Sequence, residues 1–121
     1  MEGLMRLALI LCVMAAPVAA QDWFLRDDDT RIGVEALDER LRGQVLTFFD
    51  DGQSRFFEDD RYTYTYPNGG GVAYGYYAVN EDGTVCVEFI NGFSRCDLFV
   101  ENAGRLILVT EDGQRFPIRP N

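Results

Sequence analysis

The sequence predicts a mainly β fold: an antiparallel eight-stranded meander, forming a small barrel or curved sheet, with one short N-terminal helix. Three observations predict it. Turn signals recur at Asp51-Gly52, Asp59-Asp60, Asn68 to Gly71, Asp82-Gly83, Asn91-Gly92, Ala103-Gly104 and Asp112-Gly113, spaced about 9 to 13 residues apart. The runs between them are rich in Val, Ile, Phe, Tyr and Thr, which suit a pleated, half-buried surface. The connections are of hairpin length, so successive strands should be antiparallel neighbours.

Residues 1–20 read as a secretory signal peptide. Arg6 supplies the positive start, Leu7 to Ala16 form the apolar stretch, and Pro17 precedes the small residues Val18-Ala19-Ala20. The apolar stretch is well short of the roughly 20 residues of a membrane helix, so no membrane span is expected in the mature chain. Cys12 follows Leu11 rather than a small residue, which argues against a lipid anchor. The expected location is periplasmic or secreted. Residues 21–31 form a partly ordered arm whose apolar residues Trp23, Phe24 and Leu25 can dock on the domain. Residues 32–121 form a single β domain.

That domain opens with the helix. Val34, Leu37 and Leu41 share one face, and Gly43 stands where a helix stops. The strands follow at roughly 44–50, 53–58, 61–67, 72–79, 84–90, 93–100, 105–110 and 114–118. Pro117 and Pro120 end the last of them near a sheet edge. The turn sequences Asp50-Asp51-Gly52-Gln53, Glu81-Asp82-Gly83-Thr84 and Glu111-Asp112-Gly113-Gln114 echo one another as a reused hairpin turn. They lack the alternating oxygen ligands of a calcium loop.

Signal cleavage leaves two cysteines, Cys86 and Cys96, and an even count in an exported chain implies a disulfide. A three-residue loop Ile90-Asn91-Gly92, with Gly92 in the left-handed region, pairs Phe89 with Phe93. Counting back three pairs places Cys86 opposite Cys96 at a non-hydrogen-bonded pair, where the strands approach most closely. A two-residue Asn-Gly turn would instead bring Asp97 opposite Cys86. A staple closing a loop of about 11 residues contributes roughly 2.8 kcal/mol on the chain-entropy model. The spacing is not that of a redox Cys-x-x-Cys pair.

Composition narrows the function. All 11 basic residues are Arg, there is no His, and 20 acids bring the net charge to −9. Histidine catalysis and histidine ligation of metal are excluded. Nucleic-acid binding is not expected, because it needs clustered positive charge. A serine or cysteine triad lacks its usual base. The adjacent acids Glu58, Asp59, Asp60 and Asp50, Asp51 read as solvated turn residues. The sequence therefore predicts no enzyme, no catalytic residue, no cofactor and no metal. The charge suits solubility or attraction to a cationic protein partner.

The tyrosines are the candidate binding residues. Tyr62, Tyr64 and Tyr66 share one face of their strand, and Tyr74 and Tyr76 share one face of the next. Pairing Tyr66 with Val72 or with Tyr74 joins them into one aromatic face, whereas a one-residue slip sends them to opposite faces. Such a face stacks an apolar or sugar ligand or a protein partner, or simply stabilises the sheet as an aromatic ladder.

Two resemblances add to this. Leu41-Arg42-Gly43, Phe49-Asp50-Asp51-Gly52, Gly75-Tyr76-Tyr77, Asp82-Gly83-Thr84-Val85-Cys86 and Cys96-Asp97 resemble small exported β-rich proteins of alphaproteobacteria. That likeness implies a periplasmic or secreted β protein and no activity. Gly70-Gly71-Val72-Ala73-Tyr74 is similar to the inhibitory loop of the periplasmic inhibitors of c-type lysozyme, with Gly in place of their Ser. It implies a role as inhibitor of a cationic cell-wall hydrolase.

Overall fold

The computed structural model describes residues 23–120. The expected signal peptide lies outside them. Helix α1 (Val34–Leu41) precedes an antiparallel meander of β2 (Val45–Thr47), β3 (Gln53–Phe56), β4 (Arg61–Thr65), β5 (Val72–Val79), β6 (Thr84–Phe89), β7 (Ser94–Asn102), β8 (Arg105–Val109) and β9 (Arg115–Pro117). A two-residue strand β1 (Thr30–Arg31) comes before the helix. Among the described residues no helix is long and apolar enough to cross a membrane.

The eight strands of the meander form a curled half-barrel. Its outer strands meet at one bridge between Phe48 and Ile118. The Arg119 N–H extends this seam by donating to the Thr47 carbonyl at 2.8 Å. One turn design builds five of the hairpins. Phe48, Phe57, Asn80, Phe89 and Thr110 each donate an N–H to the carbonyl four residues on and accept one from three residues on. The position that takes positive φ is Asp51, Asp60, Gly83, Gly92 or Gly113 respectively. The reused turn therefore extends beyond the three echoing sequences. In the first of them Asp51, not Gly52, takes the left-handed conformation.

The Cys86–Cys96 disulfide forms as the hairpin predicts. The two residues stand directly opposite each other, 4.0 Å apart at Cα. Phe89 and Phe93 close the turn, and Gly92 has φ of 97°.

The helix covers one end of the concave face. Leu37 and Leu41 are fully buried in a cluster that includes Phe56, Tyr77, Val85, Phe99 and Leu106. Gly43 turns the chain out of the helix with φ of 77°, and its N–H donates to the Phe56 carbonyl at 2.7 Å. A Cβ could not adopt that φ without strain. Arg42 fastens the same corner, pairing with Asp38 and Asp60 at 2.8 Å each and lying over the Tyr77 ring.

A second core lies on the convex face. There Trp23 closes over Leu98, Val100, Ile107 and Val109. Residues 26–31 of the arm are tied to the sheet. The Asp29 side chain is 0% exposed and grips Arg115, whose side chain is 13% exposed, through two bonds of 2.7 and 2.8 Å. Asp29 also accepts from Asn102 and from the Arg26 N–H, each at 2.8 Å. The sequence did not announce β1. It forms because β7 runs past the last β6 pairing at Leu98, leaving Val100 and Glu101 for Arg31 and Thr30.

Candidate functional site

The β4–β5 register decides where the tyrosines go. Thr65 pairs with Val72, Tyr64 with Ala73, Thr63 with Tyr74, Tyr62 with Gly75 and Arg61 with Tyr76. This is the slipped register, so the five tyrosines do not form one face. Tyr62, Tyr64 and Tyr66 line the concave side. Tyr74 and Tyr76 stand on the convex side, 54% and 58% exposed. The cause is steric. On the inside of a tightly curved sheet each tyrosine ring needs a small residue across from it, and Ala73 and Gly75 supply that room. Gly75 has no room for a side chain of its own, because a Cβ there would lie 2.4 Å from the Glu88 carbonyl oxygen. With Tyr74 and Tyr76 turned inward, pairs of large rings would instead crowd the concave side.

The concave face therefore divides in two. The helix fills the end formed by the end of β5 and the starts of β4, β6 and β8. The opposite end holds a cavity of about 500 Å³. Its floor and walls are Phe48, Tyr62, Tyr64, Ala73, Val87, Phe89 and Leu108, and Tyr66, Phe93 and Phe116 stand at its rim. Neighbouring rings meet edge to face. Tyr64 and Tyr66 lie 4.9 Å apart at 87°, and Tyr62 and Phe89 lie 6.0 Å apart at 72°. Such pairs hold aromatic side chains in fixed orientations.

The lining also carries the polar residues Asp50, Ser54, Asn91, Ser94, Arg95 and Asp97, and most of them are partnered. At the floor the hydroxyls of Ser54 and Tyr62 share a 2.8 Å hydrogen bond. Burial pushes the Tyr62 hydroxyl up to about 12, with the Ser54 bond opposing. Arg95 donates from Nε and Nη2 to the two carboxylate oxygens of Asp97 at 2.9 and 2.8 Å. The Asp97 side chain is 11% exposed and that of Arg95 54%, so the pair runs from wall to solvent. The bond to Asp97 holds the Arg95 pKa above its ordinary value. Asp50 lies at the mouth, where its Oδ1 accepts from the Gly52 N–H at 2.8 Å. The Tyr64 hydroxyl packs against the same glycine. Burial first, and the Asp50 charge second, raise the Tyr64 pKa.

Phe48, Phe89, Phe93, Phe116, Asp50, Arg95 and Asp97 were not among the residues expected from sequence. Two of them had a signal. The disulfide register that places Cys86 opposite Cys96 also places Arg95 opposite Val87 and Asp97 opposite Val85. Opposite charges two residues apart on an apolar face mark a partly buried ion pair. The acids of the β3–β4 turn, read from sequence as solvated turn residues, lie outside the cavity lining. Asp59 is paired with Arg61 at 2.9 Å and Asp60 with Arg42.

No protein-family model, curated protein or solved structure matches the chain.

Proposed function

We propose that this is an exported, non-catalytic binding module that takes a small apolar or aromatic ligand into the open end of its half-barrel. The observation that carries the proposal is the cavity of about 500 Å³, walled largely by aromatic and aliphatic side chains. That volume falls within the range of small-molecule sites, which are mostly apolar with a few fixed polar groups. Tyr62, Tyr64 and Tyr66 belong to the site. The disulfide and the character of residues 1–20 support export to an oxidising compartment, periplasmic or extracellular. An intact mass beginning at Gln21 with one disulfide is expected, and retention of residues 1–20 in the purified protein would remove the export proposal.

The test of binding uses the neutral fluorophore N-phenyl-1-naphthylamine. The wild-type protein should enhance its emission saturably. Leu108→Trp, which fills the cavity from its wall, should abolish that enhancement while leaving the far-UV spectrum unchanged. No saturable enhancement by the wild type, or equal enhancement by the folded filled variant, would overturn the proposal.

A second reading, inhibition of a cationic cell-wall hydrolase such as lysozyme, draws on a different face. Tyr74 ends the Gly70-Gly71-Val72-Ala73-Tyr74 segment and is exposed on the convex side of a chain with net charge −9. It expects salt-sensitive inhibition of lysozyme. Full lysozyme activity at low salt in the presence of excess protein would remove it.

A further inference from the structure

We infer that the cavity selects an organic cation, a substituted ammonium carried on an apolar body. This rests on the cavity being a binding site and names the chemistry of what it takes. Three observations lead there. The first is charge. Arg95 and Asp97 cancel across their two-bond fork. Asp50 at the mouth has no ion-pair partner among the described residues, so the lining carries one uncompensated negative charge. A chain with net charge −9 adds a long-range field of the same sign.

The second is the state of the rings. Arginines lie over Tyr77, Phe57 and Phe49, none of which lines the cavity. Among the described residues no arginine is stacked on the cavity's own rings. Their negative π faces are left to a ligand, and a cation near a desolvated ring gains most from that quadrupole. The third is placement. Tyr64 and Tyr66 stand nearly perpendicular, with the Asp50 carboxylate beside the Tyr64 hydroxyl around Gly52. A cationic head there meets π surface in two planes and a carboxylate, while its apolar body enters toward Phe89 and Leu108.

The competing chemistry is an anion on the N–H groups of Arg95 that Asp97 does not engage. It would have to approach the buried Asp97 carboxylate and pass Asp50, against the net field.

The experiment compares three probes by ligand-observed NMR titration of the wild-type protein. They are benzyltrimethylammonium, its neutral carbon isostere neopentylbenzene, and the anion phenylacetate. The cation should bind about tenfold more tightly than the isostere. That preference should shrink with rising salt and should fall severalfold in Asp50→Asn, which keeps an oxygen for the Gly52 N–H. Equal binding of cation and isostere would overturn the cation inference and leave the apolar site standing. Tighter binding of phenylacetate would overturn it in favour of Arg95. No binding of any probe, together with failure of the fluorophore to bind, would remove the site itself.

Discussion

Replacing Asp29 by Ala should cost more stability than removing any other single charge in the described fold. The Asp29 side chain is out of solvent contact and receives four hydrogen bonds, two of them from Arg115. Its loss leaves the 13%-exposed Arg115 guanidinium without its counter-charge. Breaking one side of a buried pair in this way costs about 3–5 kcal/mol. A domain of ordinary stability has only about 5–15 kcal/mol in total. The Glu101→Ala change removes the half-exposed partner of Arg40 and should cost less than about 1 kcal/mol. Replacing both buried partners, Asp29→Leu with Arg115→Met, should recover most of the loss, because neither partner is then left buried and unpaired. Equilibrium urea unfolding followed by Trp23 fluorescence reads the outcome. Trp23 is the sole tryptophan and is the residue of the same arm that is buried against the sheet. The pair also sets an acid dependence. Arg115 holds the Asp29 carboxyl well below the usual carboxylate range. Its stabilisation is therefore complete above the unfolded value of about 3.9 and is lost as pH falls below that toward the folded value. The wild type should lose stability in that acid window more steeply than the apolar double variant. A loss below about 1 kcal/mol for Asp29→Ala, or parallel acid profiles for the two proteins, would refute the reasoning.

Further outcomes follow from the same physics. Reducing Cys86–Cys96, or replacing both by Ser, should lower stability by roughly 2.8 kcal/mol in urea unfolding, and an unchanged midpoint would contradict the staple. Gly75→Val should destabilise by about 1–3 kcal/mol or more, since its Cβ meets the Glu88 carbonyl; a thermal midpoint equal to wild type would show that the β5–β6 approach is looser than described. The Tyr62 hydroxyl is pushed up to about 12 by burial. Its contribution is full below the unfolded value of about 10 and is lost as pH rises through about 12. Absorbance titration of wild type and Tyr62→Phe should show one late-ionising tyrosine missing from the variant, and identical titrations would exclude it.

Most of the meander was legible because hairpin turns are short-range. Asp82-Gly83, Asn91-Gly92 and Asp112-Gly113 each fix a three-residue connection without help from the rest of the chain. The two cysteines then fix the parity of their hairpin. The β4–β5 hairpin offered no such anchor. Its connection, residues 66–71, bends through positive φ at Asn68, Gly69 and Gly71 and can deliver either parity. The deciding signal lay in side-chain size, with Gly75 and Ala73 on one face of β5 and Tyr74 and Tyr76 on the other. That signal acquires meaning only once the sheet is known to curl. The cavity was illegible for a related reason. Phe48 and Phe116 are far apart in sequence and line one space only because the outer strands meet at the Phe48–Ile118 bridge. The pairing of β1 left no trace because a two-residue strand has no periodicity to read.

The central claim is that ligand enters the open end of the half-barrel. The most direct measurement is a backbone amide chemical-shift map of the wild-type protein titrated with benzyltrimethylammonium. Shifts centred on Tyr64, Ala73, Phe89 and Arg95, with the amides around Trp23 and Leu98 unmoved, are the result the account predicts. Shifts centred instead on Tyr74 and Tyr76 of the convex face, or none at saturating probe from a protein that also fails to bind the fluorophore, would contradict it.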